Sequence, residues 1–412
     1  MSTFDKISKE LGIPRFKDQI EEIQSRYLAP YATKSPGEKS RRFEEPSYNF
    51  ETRSEFQRDR DRIIHSKAFR RLLYKTQVFV NHEGDHYRTR MTHSLEVSQI
   101  ARGVARSLGV NEDLVEAIAL GHDLGHTPFG HAVERLLAGL LKDEHGFFHN
   151  EQSVRIVDCI ESKKGLDYIY GLNLTWEVRE GILKHNDDRT DGIYPSLEPE
   201  RPSSIEGQIV ALVDTVAYVC HDLEDGMGAG LIGDKLSNGL LELKELEELW
   251  GMFDARLENG VSSIINRLVT DIVDSSWAIL RDNNIDTVEK VRSFKDKETN
   301  NRIIRLGKYK EPFKRLKKFV MDNVYGSTIT TIMDVKAEKF IKEIYDSYLK
   351  HPKQLPNDIY KKFTCTSNDS EDYSYDGYKN TPSRVLCDFI ASMTDRFALE
   401  TYDKLFNPHM KI

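Results

Sequence analysis

Four polar residues stand on helical stripes that are otherwise apolar: His93, the adjacent pair His122 and Asp123, and Asp214. His93 precedes Val97, Ile100, Ala101, Val104, Ala105 and Leu108, which repeat with the period of a buried helix face. His122 follows Val115, Ile118 and Ala119 on a helix expected from about Asn111 to Leu124 and ended by Gly125. A lone buried histidine is ordinarily a core residue and a lone aspartate a cap, but here that reading must hold at every position at once. Two imidazoles and two carboxylates instead suit one divalent ion: Mn, Mg, Fe, Co, Ni or Zn, not a soft thiophilic metal.

A second group follows directly. His126 and His131 flank Thr127-Pro128-Phe129-Gly130, and Thr127 as N-cap with Pro128 in the first turn is expected to restart a helix. On that helix His131 and Glu134 lie three residues apart, side by side, an imidazole and a carboxylate able to act as an acid/base pair. A third helix is expected over about Ile205 to Asp225, where Asp214, Tyr218, Asp222 and Asp225 share one stripe. Asp214 and Asp222 are then about 12 Å apart along the axis, a span that fits a metal at one end and a polar group of the same ligand at the other. The second His-Asp pair, His221-Asp222, lacks the flanking histidines of the first.

The elements that must carry these residues are helices. Helix-period patterning dominates, and the chain is expected to be all-α, with at most a short hairpin near residues 76–90, around Gly84. Phe56 to Tyr74 reads as a strongly basic helix, and later helices are expected within 239–350 and 381–406. The acidic stretch from Ser367 to Asn380 resembles a calcium loop only superficially and is expected to be a surface loop. Eight Lys/Arg between Arg302 and Lys318 oppose one acid, Glu311; they form either a solvated helix face or a phosphate-binding patch.

Composition narrows the classes. Of 412 residues 39% are apolar, enough for a large core and too many for a disordered chain. The net charge of −8 argues against a general polyanion binder. The longest strongly apolar stretch, Ile209 to Cys220, contains Asp214 and is far shorter than the ~20 residues a bilayer span needs, so no membrane partner is expected. No apolar run follows Met1, and the four cysteines form no CxxC, so neither a secretory signal nor a disulfide framework is expected; a reducing cytoplasm fits.

The longer words carry a resemblance. FQRDRDRIIHSKAFRRLLYKTQVF (56–79), YRTRMTHSLEV (87–97), GHDLGHTPFGHAVE (121–134), FFHNEQS (147–153), IEGQIVALVDTVAYVCHDLED (205–225) and CDFIASMTDRFALETYDKLF (387–406) resemble, in order, the deoxyguanosinetriphosphate triphosphohydrolase-like family of the HD-domain phosphohydrolases. The resemblance implies metal-dependent hydrolysis of a deoxynucleoside triphosphate to deoxynucleoside and tripolyphosphate. It implies His93, His122, Asp123 and Asp214 as metal ligands and His126, His131 and Glu134 as catalytic residues. Gln77, Tyr218 and Asp222 would grip the sugar, and Arg90 and His149 the phosphates. It also implies an N-terminal arm (1–57), an HD-domain catalytic core (58–235) and a C-terminal helical region (236–412) packing on that core. Partners implied are a dNTP substrate and a homo-oligomer, tetramer or hexamer, with an effector dNTP or single-stranded nucleic acid as a further partner of the basic segment. Two other readings remain: an HD phosphohydrolase of another nucleotide phosphoester, and an inactive nucleotide- or nucleic-acid-binding protein.

Overall fold

Several of the helices that carry these segments begin and end at local caps. The computed structural model describes residues 16–35, 41–45, 53–77, 88–161, 171–186, 194–232, 260–296, 301–365 and 380–410. In chain order its α-helices are α1 (Phe16–Tyr27), α2 (Glu55–Ile64), α3 (Lys67–Arg71), α4 (Arg90–Leu108), α5 (Glu112–Gly121), α6 (His131–Leu140), α7 (His149–Arg155) and α8 (Trp176–Leu183). They continue as α9 (Ile205–Gly228), α10 (Gly260–Asp282), α11 (Val288–Arg292), α12 (Lys310–Val320), α13 (Thr328–Lys350), α14 (Asn357–Cys365), α15 (Pro382–Ala391) and α16 (Asp395–Phe406). The fold is all-α; among the described residues β structure is confined to isolated bridge positions, such as the pair Thr76 and Thr89. Most of the expected hairpin, residues 78–87, and most of the acidic loop, residues 366–379, lie outside the described residues.

Helix α4 starts in a capping box between Thr89 and Thr92 and stops at Gly109, whose φ of 69° closes the last turn. Asn111 caps α5 by accepting from the amides of Asp113 and Leu114. The expected basic helix at 56–74 is instead α2, a break at His65, α3 and a 3₁₀ turn over Leu72–Tyr74, because Ser66 opens a new helix by accepting from Phe69 N.

Two boundaries at the site differ from expectation. Helix α5 ends at Gly121, four residues before Gly125. Its end is pulled out of helical geometry by α7: Gly125 N donates to Ser153 Oγ at 2.8 Å, and the Ser153 hydroxyl lies 2.6 Å from His122 O. A Cβ on Gly125 would meet His149 O at 2.1 Å, so only glycine allows this approach. Likewise Thr127 does not cap α6. It donates to Gly130 O at 2.8 Å, closing a tight turn in which Phe129 and Gly130 both take positive φ, 58° and 63°. Helix α6 therefore begins only at His131.

Two apolar cores hold the helices. The larger joins α2, α4, α5, α8, α9, α10 and α12; the smaller is built from α6, α13, α15 and α16. Each fully buried Leu or Ile in them contributes roughly 1.5–3 kcal/mol. Helix α6 gives Val133 and Leu137 to the smaller core while His131 and Glu134 turn away from it. Among the described residues no helix is long and apolar enough to cross a membrane.

Candidate active site

Between the two cores lies a cavity of about 890 Å³, lined by Arg90, His93, Asp123, His131 and Asp214 among others. Each comes from a different local device. Arg90 and His93 occupy the first turn of α4, His122 and Asp123 directly follow the last residue of α5, and Asp214 lies in the middle of α9. His93 Nε2 lies 2.9 Å from Asp214 Oδ1, and His122 Nε2 lies 3.5 Å from the same oxygen and 3.2 Å from Asp123 Oδ1. The two imidazoles and two carboxylates that the sequence sets apart are thus brought together.

Whether this group fits a cation can be decided from one ring. His122 Nδ1 donates to Ala119 O at 2.6 Å, which leaves Nε2 as the lone-pair nitrogen. That buried atom has no hydrogen-bond partner and faces two carboxylate oxygens. A lone pair among anions is repulsive unless a positive charge lies between them. Although burial opposes a charge on the ring, Asp123 and Asp214 push His122 up to about 9, the same demand expressed through a proton. His93, His122 and Asp214 offer ligand atoms within 4.8 Å of one another, so the set fits a divalent ion.

Beside this shell runs a chain of imidazoles. His126 Nε2 lies 3.0 Å from Asp123 Oδ1, and its ring stacks on His149 with centroids 4.0 Å apart. Burial, Arg90 and His149 hold His126 well below the usual histidine range, and its Nδ1 has no partner. Glu134 Oε2 accepts from His131 Nδ1 at 2.8 Å, and Glu134 Oε1 accepts from His149 N at 2.8 Å and His149 Nδ1 at 2.9 Å. Burial works against the Glu134 charge, but His149 and His131 hold its carboxyl well below the carboxylate range. The expected His131–Glu134 pair is present and extends to His149. The His131 side chain remains 56% exposed, at the cavity mouth.

The remaining expected residues distribute as follows. Arg90 is buried and donates from Nη1 to Asp123 Oδ2 at 3.1 Å. Gln77 lines the cavity with a buried Oε1 that has no partner. Tyr218 lines it as well, under Lys317, whose Nζ stands 5.6 Å from the ring centroid. Asp222 is buried behind the wall; Tyr325, which does line the cavity, donates its hydroxyl to Asp222 Oδ2. Asp225 leaves the stripe to pair with Arg88 at 2.8 Å.

Sequence reasoning missed His185, Tyr325, Lys75 and Asp395. His185 closes the imidazole chain, its Nε2 3.2 Å from His149 Nε2. Lys317 is the member of the basic segment that reaches the cavity, whereas Lys314 pairs with Glu311 and Arg305 with Asp296. Lys75 is buried and donates to the carbonyls of His126 and Ala391. Asp395 accepts from Thr76 and, at 3.0 Å, from Phe129 N. The signal available for Asp395 was its place in the word CDFIASMTDRFALETYDKLF.

Comparison with known proteins bears on the whole chain. Residues 90–219 match the HD domain, and residues 307–404 match the phosphohydrolase-associated domain. The chain is 41% identical over 395 residues to a deoxyguanosinetriphosphate triphosphohydrolase-like protein of Geobacter sulfurreducens (strain ATCC 51573 / DSM 12127 / PCA), covering 93% of this chain and 96% of that one. It is likewise 41% identical over 397 residues to a protein of the same description from Rickettsia felis (strain ATCC VR-1525 / URRWXCal2), covering 92% and 98%.

Proposed function

The chain belongs to the deoxyguanosinetriphosphate triphosphohydrolase-like family of HD-domain phosphohydrolases, and from that premise we propose that it hydrolyses deoxynucleoside triphosphates to deoxynucleoside and tripolyphosphate. The observation that carries the reading is the junction at Asp123: a carboxylate between a metal-fitting shell and a neutral buried imidazole, His126. In this reading His93, His122, Asp123 and Asp214 hold one divalent ion, which supplies Lewis-acid stabilisation of the α-phosphate. Arg90 and Lys317 neutralise the rest of the triphosphate, and His149 contacts it.

The protein's own groups then move the protons. His126, kept uncharged with a free ring nitrogen, suits accepting the proton of the attacking water. The water oxygen bonds to the α-phosphorus and the bond to the 5′ oxygen breaks. His131, oriented through Nδ1 by Glu134, suits delivering the proton that the 5′ oxygen needs to leave as an alcohol. Positioning and charge stabilisation supply most of the acceleration.

At the sugar end, Gln77 offers a donor and an acceptor to the 3′ hydroxyl, and Asp222 an acceptor relayed by Tyr325. The Tyr218 ring closes the face toward which a 2′ hydroxyl projects. That arrangement penalises a ribonucleotide by on the order of 2–4 kcal/mol, ~30- to 1000-fold. Incubation with each of the four dNTPs and with GTP, under Mn, Mg and Co, tests the reading. Tripolyphosphate and deoxynucleoside are expected, with kcat/KM for dGTP well above that for GTP. Orthophosphate or a nucleoside monophosphate as the product overturns it.

A further inference from the structure

The buried ammonium group of Lys75 does not hold its own segment in place. Other bonds fix the backbone there: Arg90 N donates to Lys75 O at 3.3 Å, Thr76 N donates to Asp395 Oδ2 at 2.9 Å, and Thr76 bridges to Thr89. What the ammonium holds lies elsewhere in the chain. It donates to Ala391 O at 2.7 Å and to His126 O.

The two acceptors play different parts. Ala391 is the last residue of α15, so its carbonyl is one that the helix leaves without an intrahelical partner, at the end whose dipole favours a cation. That end is closed by bonds from Ser392 N to Asp388 O and from Met393 N to Ile390 O, which makes it a fixed seat. His126 stands between α5 and α6. Its N donates to Asp123 O at 3.2 Å, and directly after it the chain enters the Thr127–Gly130 turn. The Lys75 bond therefore falls at the hinge between the two.

The His126 ring tolerates little rotation at that hinge. Its Nε2 lies 3.0 Å from Asp123 Oδ1 and its face stacks on His149 at 4.0 Å, which together aim the unpartnered Nδ1. An ammonium is also a costly donor to enclose: burial lowers Lys75 to about 7, although Asp395 acts to raise it. A neutral side chain would tie α15 to the turn with less desolvation. A charge-assisted bond is the stronger one, which suits a carbonyl that must not move.

We propose that Lys75 is a positioning residue for proton transfer: seated on the end of α15, it fixes the His126 peptide and through it the ring held between Asp123 and His149. Lys75 is not among the residues that line the cavity, so it acts through His126 and not on a ligand. The inference rests on the reading that His126 accepts the proton of the attacking water. The rival is a tie between α15 and the turn that serves stability alone.

Two variants separate them. Lys75→Met keeps the length of the side chain and removes its donors, and Lys75→Gln keeps a shorter amide donor. Each is assayed on dGTP in the full-length protein, alone and combined with His126→Ala, with circular dichroism as the check of folding. A loss of roughly 10- to 100-fold in kcat is expected with KM nearly unchanged. In the His126→Ala background the same substitutions should cost less than about threefold, because there is no ring left to position. Equal losses in both backgrounds overturn the proposal, as does failure of both Lys75 variants to fold. A crystal structure of Lys75→Met reads the same effect without substrate: the His126 ring should shift against Asp123 and His149 while His93, His122 and Asp214 keep their arrangement. A ring in its wild-type place overturns it. A shifted ring in a protein whose wild type releases no tripolyphosphate would leave the positioning standing and sink the substrate assignment instead.

Discussion

Replacing Asp395 by alanine tests whether the C-terminal helices hold the Thr127–Gly130 turn in place. Asp395 opens α16, yet its carboxylate points across the molecule. It accepts from Thr76 N at 2.9 Å, from the Thr76 hydroxyl and from Phe129 N at 3.0 Å, and it faces the buried Lys75. Two of these donors are backbone amides. Leaving a buried donor unpaired costs ~1–3 kcal/mol, so the two amides together cost about 2–6 kcal/mol, the lower end applying where water enters the vacated space. Phe129 adds to this because its left-handed backbone, φ 58°, is held by the bond that the substitution removes.

The effect on chemistry follows from what lies next to each partner. Thr76 adjoins Gln77, Phe129 lies two residues before His131, and Lys75 holds the carbonyl of His126. A displacement of the order of 1 Å at such groups costs roughly 100-fold in turnover. Asp395→Ala should therefore lose a few kcal/mol in urea unfolding and 10- to 100-fold in kcat, by the same principle, while retaining its metal. Asp395→Asn keeps one acceptor oxygen but turns an N–H toward the other amide, and it should fall between wild type and alanine. Wild-type unfolding and wild-type kcat in Asp395→Ala would refute the reasoning. Loss of metal alongside activity would mean that the damage is global rather than at the turn.

His122→Ala and Asp214→Asn should each lose the ion of the His93–His122–Asp123–Asp214 shell while remaining folded, read by elemental analysis; full occupancy in Asp214→Asn would mean the wrong carboxylate. His131→Ala and Glu134→Ala should both depress kcat, and the double variant should be little worse than the worse single, because groups acting as one unit are not additive. Multiplicative losses would dissolve the pair. Burial pushes the Asp222 carboxyl from 3.8 up to about 7, against the Tyr325 hydrogen bond. Between those values the folded chain holds a proton that the unfolded chain has released, so stability falls as pH rises from about 4 to about 7 and is then level. The whole effect is at most on the order of 4 kcal/mol, and Asp222→Asn should flatten it in unfolding measured at pH 5 and pH 8. An unchanged slope in that variant assigns the titration elsewhere.

Much of the candidate centre was legible in sequence because the residues proposed to hold an ion sit on amphipathic helices. His93 stands at the head of the stripe that runs from Val97 to Leu108, and Asp214 interrupts another on α9. A polar residue on such a stripe is conspicuous when the opposite face is polar. His185 gave no such signal because it follows α8, all eight residues of which are buried. The charged residues Arg179 and Glu180 of that helix are buried against Asp158 and Arg292 rather than solvated. Polarity therefore does not mark an outward face, and the period that marks an inward residue vanishes. The boundaries at Gly121 and His131 failed for a related reason. Local capping preferences favoured a longer α5 and an earlier α6, but the contact of Gly125 with α7 and the bond from Phe129 to Asp395 outweigh them.

The residues that support the site were illegible for a different reason, their distance along the chain. Lys75 stands just past the expected basic helix of Phe56 to Tyr74, and nothing local distinguishes it from Arg70 or Arg71. It is buried only because carbonyls 51 and 316 residues away converge on its ammonium group. With burial dominating, its pKa falls to about 7, although Asp395 acts to raise it. A lysine in that position is costly unless its partners are fixed. Those partners are the turn before α6 and the junction of α15 and α16. The same junction supplies Asp395, while Lys317 of α12 and Tyr325 line the cavity itself, so the C-terminal half both supports the site and walls it. A motif can specify which groups meet a phosphate, because those groups lie within one or two helices. It cannot specify what holds the turn between them, because that support is chosen by packing across some three hundred residues of chain.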